Sequence, residues 1–300
     1  MKLLTIDIGG SGIKYGLSED ILQISRKGST VVSMNSFEDF LKTISDLYDQ
    51  YKDDVEGIAI AMPGFIDIEK GYCYGSSVMR YRFDKELAKI LLEKCGCQVT
   101  LENDGKAAAK AEHSYGALKG CSNAAVFLIG TGIGGGLIIN GELLRGTRFA
   151  SGEFSFINTK ADNYEDPANI LGNRCSTSFL LRNYKERTGS AEMIDGYEFF
   201  SRLPDDKIAE EILDEMCENI ALQICNLFWL LDLEKVVIGG GISAQPVVTD
   251  KIREKFAEVK QKTMAGRPRV DVSVDIVPCR FGNDANLIGA AMTYHELLNK

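Results

Sequence analysis

Apolar and polar positions fall into recognisable blocks along the chain. The opening "LLTIDIGGSGIKYGLSE" runs apolar, then glycine, then apolar, which predicts two strands folded over a tight loop. In "SFEDFLKTISDLYDQYKDD", Phe37, Phe40, Leu41, Ile44 and Leu47 stand at helical spacing, with Ser36 as the start signal. "GIAIAMPGFID" reads as a buried strand stopped by Pro63-Gly64, "FDKELAKILLEKCG" as a helix ending at Gly96, "CQVTLEND" as a strand and "GKAAAKAEHSYG" as a helix.

From residue 124 the opening device recurs. "AAVFLIGTGIGGGLIINGELL" is again apolar run, glycine loop and apolar run, closed by an Asn140-Gly141 hairpin turn. One such device near the start of each half suggests two related lobes facing each other. Later, "EEILDEMCENIALQICNLFWLLDLE" carries a long apolar stripe (Leu213, Met216, Ile220, Ile224, Leu227, Leu231), and Trp229 beside it reads as core packing. The stripe leads into "KVVIGGGIS", a strand opening onto three glycines, and then another helix. The expected boundary falls near Gly116–Gly120. It gives an N-terminal α/β lobe over residues 1–117 and a C-terminal α/β lobe over 118–283, with the last helix (284–300) packing back on the first.

Composition narrows the function classes. At 300 residues, 45% hydrophobic and 26% charged, the chain fits two globular domains of ordinary size. A net charge of −9 is the wrong sign for covering nucleic-acid phosphates or an acidic membrane. Glycine interrupts "MKLLTIDIGG" before a signal-peptide core builds up. The eight cysteines are scattered without a CxxC pair, which suits reduced thiols in a cytoplasmic protein. Of the two histidines, neither lies near a cysteine pair, so a Cys/His zinc site is not expected. His113 reads as a helix-end residue and His295 as a solvated one.

"GTGIGG" (130–135) satisfies the dinucleotide fingerprint G-x-G-x-x-G, but that motif needs a helix after the loop. Strand and hairpin follow instead, and no Walker sequence exists. A phosphate held between two hairpins fits better, because glycines let backbone N–H groups approach an anion closely. The first hairpin offers Gly9, Gly10, Ser11 and Gly12 with Lys14 just beyond; the second offers Gly130, Thr131, Gly132 and Gly134. Asp7, at the end of the first strand, is placed to hold Mg²⁺ through its waters. Gly239, Gly240 and Gly241 form a third candidate, towards a nucleoside. The competing reading of every one of these glycines is a plain tight turn.

"LENDGKAAAK" sets Glu102, Asn103 and Asp104 where a strand gives way to a helix. Asp104 reads as an N-cap. An aspartate at the carboxyl end of such a strand also points to where ligands bind in α/β sheets, and there it could accept the proton of an alcohol attacking a phosphate. Asn103 could orient that alcohol through its amide.

These segments together resemble the ROK family (repressors, uncharacterised reading frames and sugar kinases) of the actin-like ATPase superfamily. "DIGGSGIK" resembles the family's first phosphate motif, with Ser11 where Thr is usual, and "GTGIGGGLIING" its second. "ENDGKAAA" resembles the segment with the catalytic aspartate, "VVIGGGIS" the adenosine segment and "GNDANLIGAA" the closing helix. The resemblance runs from Asp7 to about Ala291. It implies two ribonuclease-H-like α/β lobes with the active site in the cleft between them, ATP and Mg²⁺ as cofactors, and a homodimer. It also implies transfer to a hexose 6-hydroxyl with Asp104 as general base, and sugar contacts at Gly64, Asn103, Asp104 and Glu153. The chain starts one residue before its first strand, which leaves no expected room for the DNA-binding segment of the family's repressors.

Family glucokinases show Glu-x-Gly-His followed by a cysteine-rich zinc motif. Here Glu153-Phe154-Ser155-Phe156 stands in that place, and only Cys175 appears downstream, so the resemblance implies no zinc. Phe156 replaces a histidine that touches the anomeric hydroxyl and leaves an aromatic face near C1. That suits a sugar substituted at C1, as in the family's β-glucoside kinases. Phe156 could equally fill space left by the missing zinc, with free glucose or an N-acetylhexosamine such as N-acetylmannosamine as substrate. A non-DNA-binding sugar-sensing protein is the reading from a different class. Glu153 would accept hydrogen bonds from sugar hydroxyls, with Gly152 allowing close approach. Arg80, Tyr81 and Arg82 fall where family members place sugar contacts but carry no assigned role.

Overall fold

The computed structural model describes residues 2–10, 12–31, 36–76, 84–191, 194–265 and 271–298. Ser11 and Arg80, Tyr81 and Arg82 lie outside the described residues. The chain divides into two units, one formed by residues 1–114, 143–151 and 284–300, the other by 115–142 and 152–283.

Unit 1 begins with the hairpin β1 (Leu3–Gly9) and β2 (Gly12–Asp20), followed by β3 (Gln23–Thr30). Then come α1 (Phe37–Asp49), β4 (Gly57–Met62), the short pair β5 (Ile66–Asp67) and β6 (Tyr72–Cys73), α2 (Leu87–Cys95), β7 (Gln98–Asn103) and α3 (Asp104–Tyr115). Local signals account for the boundaries. Ser36 caps α1 by accepting from the Asp39 amide, and Gly96 ends α2 in a left-handed conformation. The sheet order is β3-β2-β1-β4-β7, with β1, β4 and β7 parallel, so their carboxyl ends lie on one edge. β4 is buried along its whole length, as expected of a central strand covered on both faces.

Unit 2 repeats the plan. The antiparallel pair β8 (Ala124–Ile129) and β9 (Ile133–Ile139) is followed by β10 (Glu142–Leu143), whose last residue is the point where the chain passes to unit 1. Beyond residue 152 come α4 (Leu171–Arg174), α5 (Thr177–Thr188), α6 (Gly196–Arg202), α7 (Lys207–Leu231), β11 (Lys235–Gly239), α8 (Pro246–Met264) and β12 (Asp275–Pro278). Its sheet order, β10-β9-β8-β11-β12, has the same form as that of unit 1. Asn140 and Gly141 both take positive φ, the twist that a two-residue hairpin turn requires.

The apolar stripe of α7 packs into the core of this unit through Leu213, Met216, Ile220, Ile224 and Leu227. Trp229 does not join it. It is 47% exposed, on the solvent side of the helix with Asn226 and Leu230, and its ring stands edge-to-face with Phe228 at 5.4 Å. At 100° per residue, Trp229 is rotated out of the face that Leu227 and Phe228 occupy.

The last helix, α9 (Ala285–Leu298), belongs to unit 1, where its small residues Ala290 and Ala291 pack with Leu3, Ala59, Ala61 and Ala107. Gly289 faces α3 so closely that a Cβ there would lie 1.9 Å from the Ala107 carbonyl oxygen. His295, expected in solvent, is half-buried, and burial pushes its imidazole below the usual range. Among the described residues no helix is long and apolar enough to cross a membrane.

Candidate active site

In unit 1 the parallel register aligns Asp7 of β1, Ala61 of β4 and Glu102 of β7 in one row across the sheet. Registered neighbours share a face, and α9 covers this one. Asn286 donates to Asp7 Oδ1 at 3.0 Å from one end of the helix, and Thr293 Oγ1 donates to Glu102 at 3.0 Å further along. Burial raises the Asp7 carboxyl above the usual range, against the opposing effects of the Asn286 bond and the Lys14 charge. Lys14 lies directly across the β1–β2 ladder and is exposed. A carboxylate that is costly to ionise, at a strand end beside a glycine turn, suits a divalent cation shared with phosphate oxygens.

The glycines of the first turn divide into two kinds. Gly12 has φ +148, and a Cβ there would stand 3.0 Å from the Thr30 carbonyl oxygen, so the fold itself demands it. Gly9 has no left-handed conformation, and a Cβ would make only ordinary contact at 3.6 Å. Neither packing nor backbone requires a glycine there, which leaves a bare backbone for an incoming group.

At the β7–α3 junction the structure reassigns the cap. Asn103 closes the helix: its Oδ1 accepts from the Lys106 amide at 3.0 Å, while Asp104 is the first helical residue and accepts from its neighbour Gly105, at 2.8 Å. Asn103 also donates its side-chain amide to the Gly64 carbonyl at 3.0 Å. Gly64 itself needs its glycine, with φ +139 and the Gly75 carbonyl 2.3 Å from where a Cβ would stand. Asn103 thus ties the end of β4 to the end of β7.

Glu102, quoted in the motif but given no role, is the most constrained group of the turn. It is 1% exposed and takes a two-pronged ion pair from Arg145, at 2.8 and 2.7 Å. Burial alone would raise its carboxyl; the Arg145 bonds and charge, the Lys110 charge and the Thr293 bond bring it below the usual range. Lys110 also donates to Thr293 at 2.9 Å and pairs with Glu296. Arg145 was missed because it lies 43 residues away, outside every motif. The only trace in the sequence is a basic residue before Glu153 and a carboxylate beside the Asn103–Asp104 pair.

In unit 2 the second glycine turn joins β8 to β9. Gly130 has open space where a Cβ would be, and the nearest atom to one at Gly132 is the Ser155 hydroxyl at 3.9 Å. The Gly130 amide is not aimed outward as an anion donor, since it donates to the Gly132 carbonyl at 2.9 Å. Gly134, expected in this loop, lies within β9 opposite Leu128. Thr131 is exposed at the tip. The start of α5 fixes the loop, with the Thr177 amide bonded to the Gly130 carbonyl (2.8 Å) and the Ser178 hydroxyl to the Thr131 carbonyl (2.9 Å).

Ser155, a second residue left without a role, fastens the neighbouring turn to this loop. Its hydroxyl accepts from the Ile133 amide at 3.2 Å and donates to the Ile133 carbonyl. The 3₁₀ turn Phe154–Phe156 is anchored by Phe154, which is buried and stacks on Phe127 at 4.2 Å. Glu153 precedes it, half-buried, and Phe156 is 58% exposed. Gly152 takes φ +79, and a Cβ there would stand 3.0 Å from the Gly135 carbonyl oxygen of β9. Cys175 is buried, with its thiol 3.6 Å from the Met216 carbonyl. No group of three or more His, Cys, Asp or Glu able to hold a metal occurs among the described residues.

Gly239 ends β11, and Gly240 (φ +87) passes so close to Ile129 that a Cβ would stand 2.4 Å from its carbonyl oxygen. Strand packing alone explains Gly240, whereas Gly241 faces open space.

Two sheets of matching order, one in each unit and each opening on a glycine hairpin, define an α/β protein of the actin-like ATPase fold. A ROK-family glucokinase from Streptomyces griseus, in complex with glucose and AMPPNP, superposes with a TM-score of 0.85 over 97% of this chain and 98% of its own, at 24% identity. A ROK-family protein from Streptococcus pneumoniae in complex with sucrose superposes with a TM-score of 0.82 over 100% and 99% of the two chains, at 29% identity. In sequence, the β-glucoside kinase of Listeria monocytogenes is 32% identical over 99% of this chain and 98% of its own. The ROK family model matches residues 3–296, and the chain belongs to the ROK family.

Proposed function

We propose that this ROK-family chain is an ATP-dependent sugar kinase that transfers the γ-phosphate to the 6-hydroxyl of a hexose or hexoside. The sugar-kinase class rests on family membership and on full-length similarity to a named β-glucoside kinase. The observation that carries the mechanism is the position of Asp104 on the carboxyl edge of a parallel sheet that also ends in Asp7 and the bare Gly9.

Asp104 takes the proton from the attacking hydroxyl, and Asn103 and Gly64 hold the turn against the sugar. Asp7 would hold Mg²⁺ through its waters, and a bound Mg²⁺ would supply charge neutralisation at the phosphates. In unit 1, Lys14, Ser11 and the backbone of Gly9, Gly10 and Gly12 are the candidate phosphate contacts. In unit 2, Thr131, Gly132 and Gly134, with Gly130 as part of the same turn, are the candidate phosphate residues, and Gly239–Gly241 the candidate nucleoside residues. Glu153 accepts from sugar hydroxyls, and the exposed Phe156 ring suits a substituent at C1 better than a bare anomeric hydroxyl. The family resemblance further suggests a cytoplasmic homodimer without zinc.

The test is coupled ADP release with Mg²⁺ across glucose, N-acetylmannosamine, N-acetylglucosamine, fructose, cellobiose and aryl-β-glucosides. Asp104→Asn should cut turnover of the best sugar by about 10²–10⁴-fold, the range of general-base contributions. Undiminished ADP release in that variant would show the base to be elsewhere. Brisk glucose turnover with none on glucosides would return the substrate to the free sugar.

A further inference from the structure

The start of α5 braces the second glycine turn and leaves two of its backbone donors unused. A helix cannot use the N–H groups of its first turn internally, so they find other acceptors. In α5, Ser176 caps the Phe179 amide through its hydroxyl at 3.2 Å, and the Thr177 amide leaves the helix for the Gly130 carbonyl at 2.8 Å. The next residue repeats the contact with its side chain: the exposed Ser178 donates its hydroxyl to the Thr131 carbonyl at 2.9 Å. Two further bonds close the turn, from the Gly130 amide to the Gly132 carbonyl (2.9 Å) and from the Ser155 hydroxyl to the Ile133 carbonyl. Every carbonyl from Gly130 to Ile133 therefore accepts a hydrogen bond from within unit 2.

The amides divide differently. Gly130 donates across the turn and Ile133 donates to Ser155 at 3.2 Å, whereas among the described residues the Thr131 and Gly132 amides donate to no protein group. Their direction follows from the peptide plane. These peptide units are trans, and in a planar trans unit the C=O and N–H point opposite ways. The Gly130 and Thr131 carbonyls both turn towards the start of α5, so the Thr131 and Gly132 N–H groups both turn away from it. Thr131 is exposed and Gly132 half-buried, which leaves the turn open to an incoming group. Neither Gly130 nor Gly132 has a left-handed conformation or a packing need for glycine. A Cβ would meet nothing at Gly130, and only the Ser155 hydroxyl, at 3.9 Å, at Gly132. Two successive donors on bare backbone suit an anionic oxygen.

We propose that Ser178 is a positioning residue of the nucleotide site, holding the Thr131 carbonyl so that the Gly132 amide stays aimed at a phosphate oxygen of a nucleoside triphosphate. The inference rests on the kinase reading, in which this is a phosphate turn. Thr177 fixes the Thr131 amide in the same way, but through its backbone. The Ser178 hydroxyl is thus the part of the brace that a side-chain substitution removes. Without it, the peptide between Thr131 and Gly132 loses the bond that sets its rotation, and the glycine on one side leaves it free to turn. Ser178 acts through the turn, so its loss weakens nucleotide binding and leaves the affinity for sugar as it was.

Isothermal titration with AMPPNP and Mg²⁺, and coupled ADP release with the best sugar, on wild type, Ser178→Ala and Ser178→Thr test this. Alanine is the better helix former and Ser178 is exposed, so α5 itself is not weakened, and both variants should melt within about 2 °C of wild type. In Ser178→Ala the AMPPNP Kd and the KM for ATP should rise about fivefold, the contribution of one ordinary hydrogen bond, with the KM for the sugar unmoved. Ser178→Thr keeps the hydroxyl and should recover most of that loss. A serine that served only the fold would lower the melting temperature without separating the two KM values. Unchanged AMPPNP affinity in Ser178→Ala, a sugar KM that rises with that for ATP, or a Ser178→Thr as weak as Ser178→Ala overturns the proposal and leaves the kinase reading standing. Should no sugar provoke ADP release, the kinase reading fails and the titration alone decides. AMPPNP binding weakened about fivefold by Ser178→Ala and recovered by Ser178→Thr then supports the brace, while unaffected or absent binding refutes it.

Discussion

Replacing Arg145 with methionine removes one half of a buried ion pair and leaves the other half in place. Glu102 would keep the Thr293 hydroxyl and the Asn103 amide, both at 3.0 Å, but lose both guanidinium bonds. Breaking such a pair costs about 3–5 kcal/mol. The Arg145 side chain is 22% exposed and two neutral donors remain, which sets the expectation at the lower end, about 3 kcal/mol. At 2–4 °C per kcal/mol for a domain of ordinary size, unit 1 should melt about 6–12 °C lower.

The pH dependence carries a sign of its own. In the wild type the Glu102 carboxyl is held below its ordinary value of 4.5. The pair's stabilisation is therefore complete above that value and is lost only as pH falls through the depressed one. In Arg145→Met the effect of burial is no longer opposed by the guanidinium, so the carboxyl rises above its ordinary value. The penalty is then full at neutral pH and shrinks as acidification protonates Glu102. Calorimetric melts of both proteins at about pH 7.5 and about pH 5 read this directly. A variant melting within about 2 °C of wild type at neutral pH, or a gap that fails to narrow on acidification, would refute the reasoning.

Substitutions at two further positions examine the packing that positions the site. Gly289→Ala drives a methyl group into the Ala107 carbonyl, so α9 must shift; overpacking of this kind costs about 1–3 kcal/mol, and a melting temperature equal to wild type would show that the helices yield freely. Asn103→Ala removes the α3 cap and the Gly64 tether together, about 1 kcal/mol for each, while Asn103→Asp retains only the cap. Urea midpoints should therefore rank wild type, then Asp, then Ala, and an Ala variant as stable as wild type would remove the capping role from Asn103.

Local chemistry was legible along the chain. The hairpins, the ends of α1 and α2 and the strand-to-helix junction at Asp104 are set by side-chain period, glycine and capping residues within a few positions of one another. The candidate site was legible to the same depth: Asp7, the glycine turns and the Asn103–Asp104 pair are contiguous in short motifs. The division of labour at that junction was not. Both Asn103 and Asp104 can cap a helix, and only the hydrogen bonds to Lys106 and Gly64 show which one does.

What the tertiary structure alone decided depends on residues far apart in the chain. Arg145 meets Glu102 across 43 positions, Asn286 meets Asp7 across 279, and Phe149 reaches Tyr74 from the other side of two motifs. None of these pairs leaves a periodic or compositional trace, because each partner by itself is an ordinary polar or aromatic residue in a loop, strand or helix. Trp229 shows the same limit in reverse. An apolar residue beside an apolar stripe satisfies the pattern of a core position, and only the rotation of α7 against its neighbours turns that ring to solvent. Sequence determined which segments are strand, turn and helix, since those are decided by the nearest few residues. The partner of a buried charge, and the face a ring presents, are decided by where the chain returns in space.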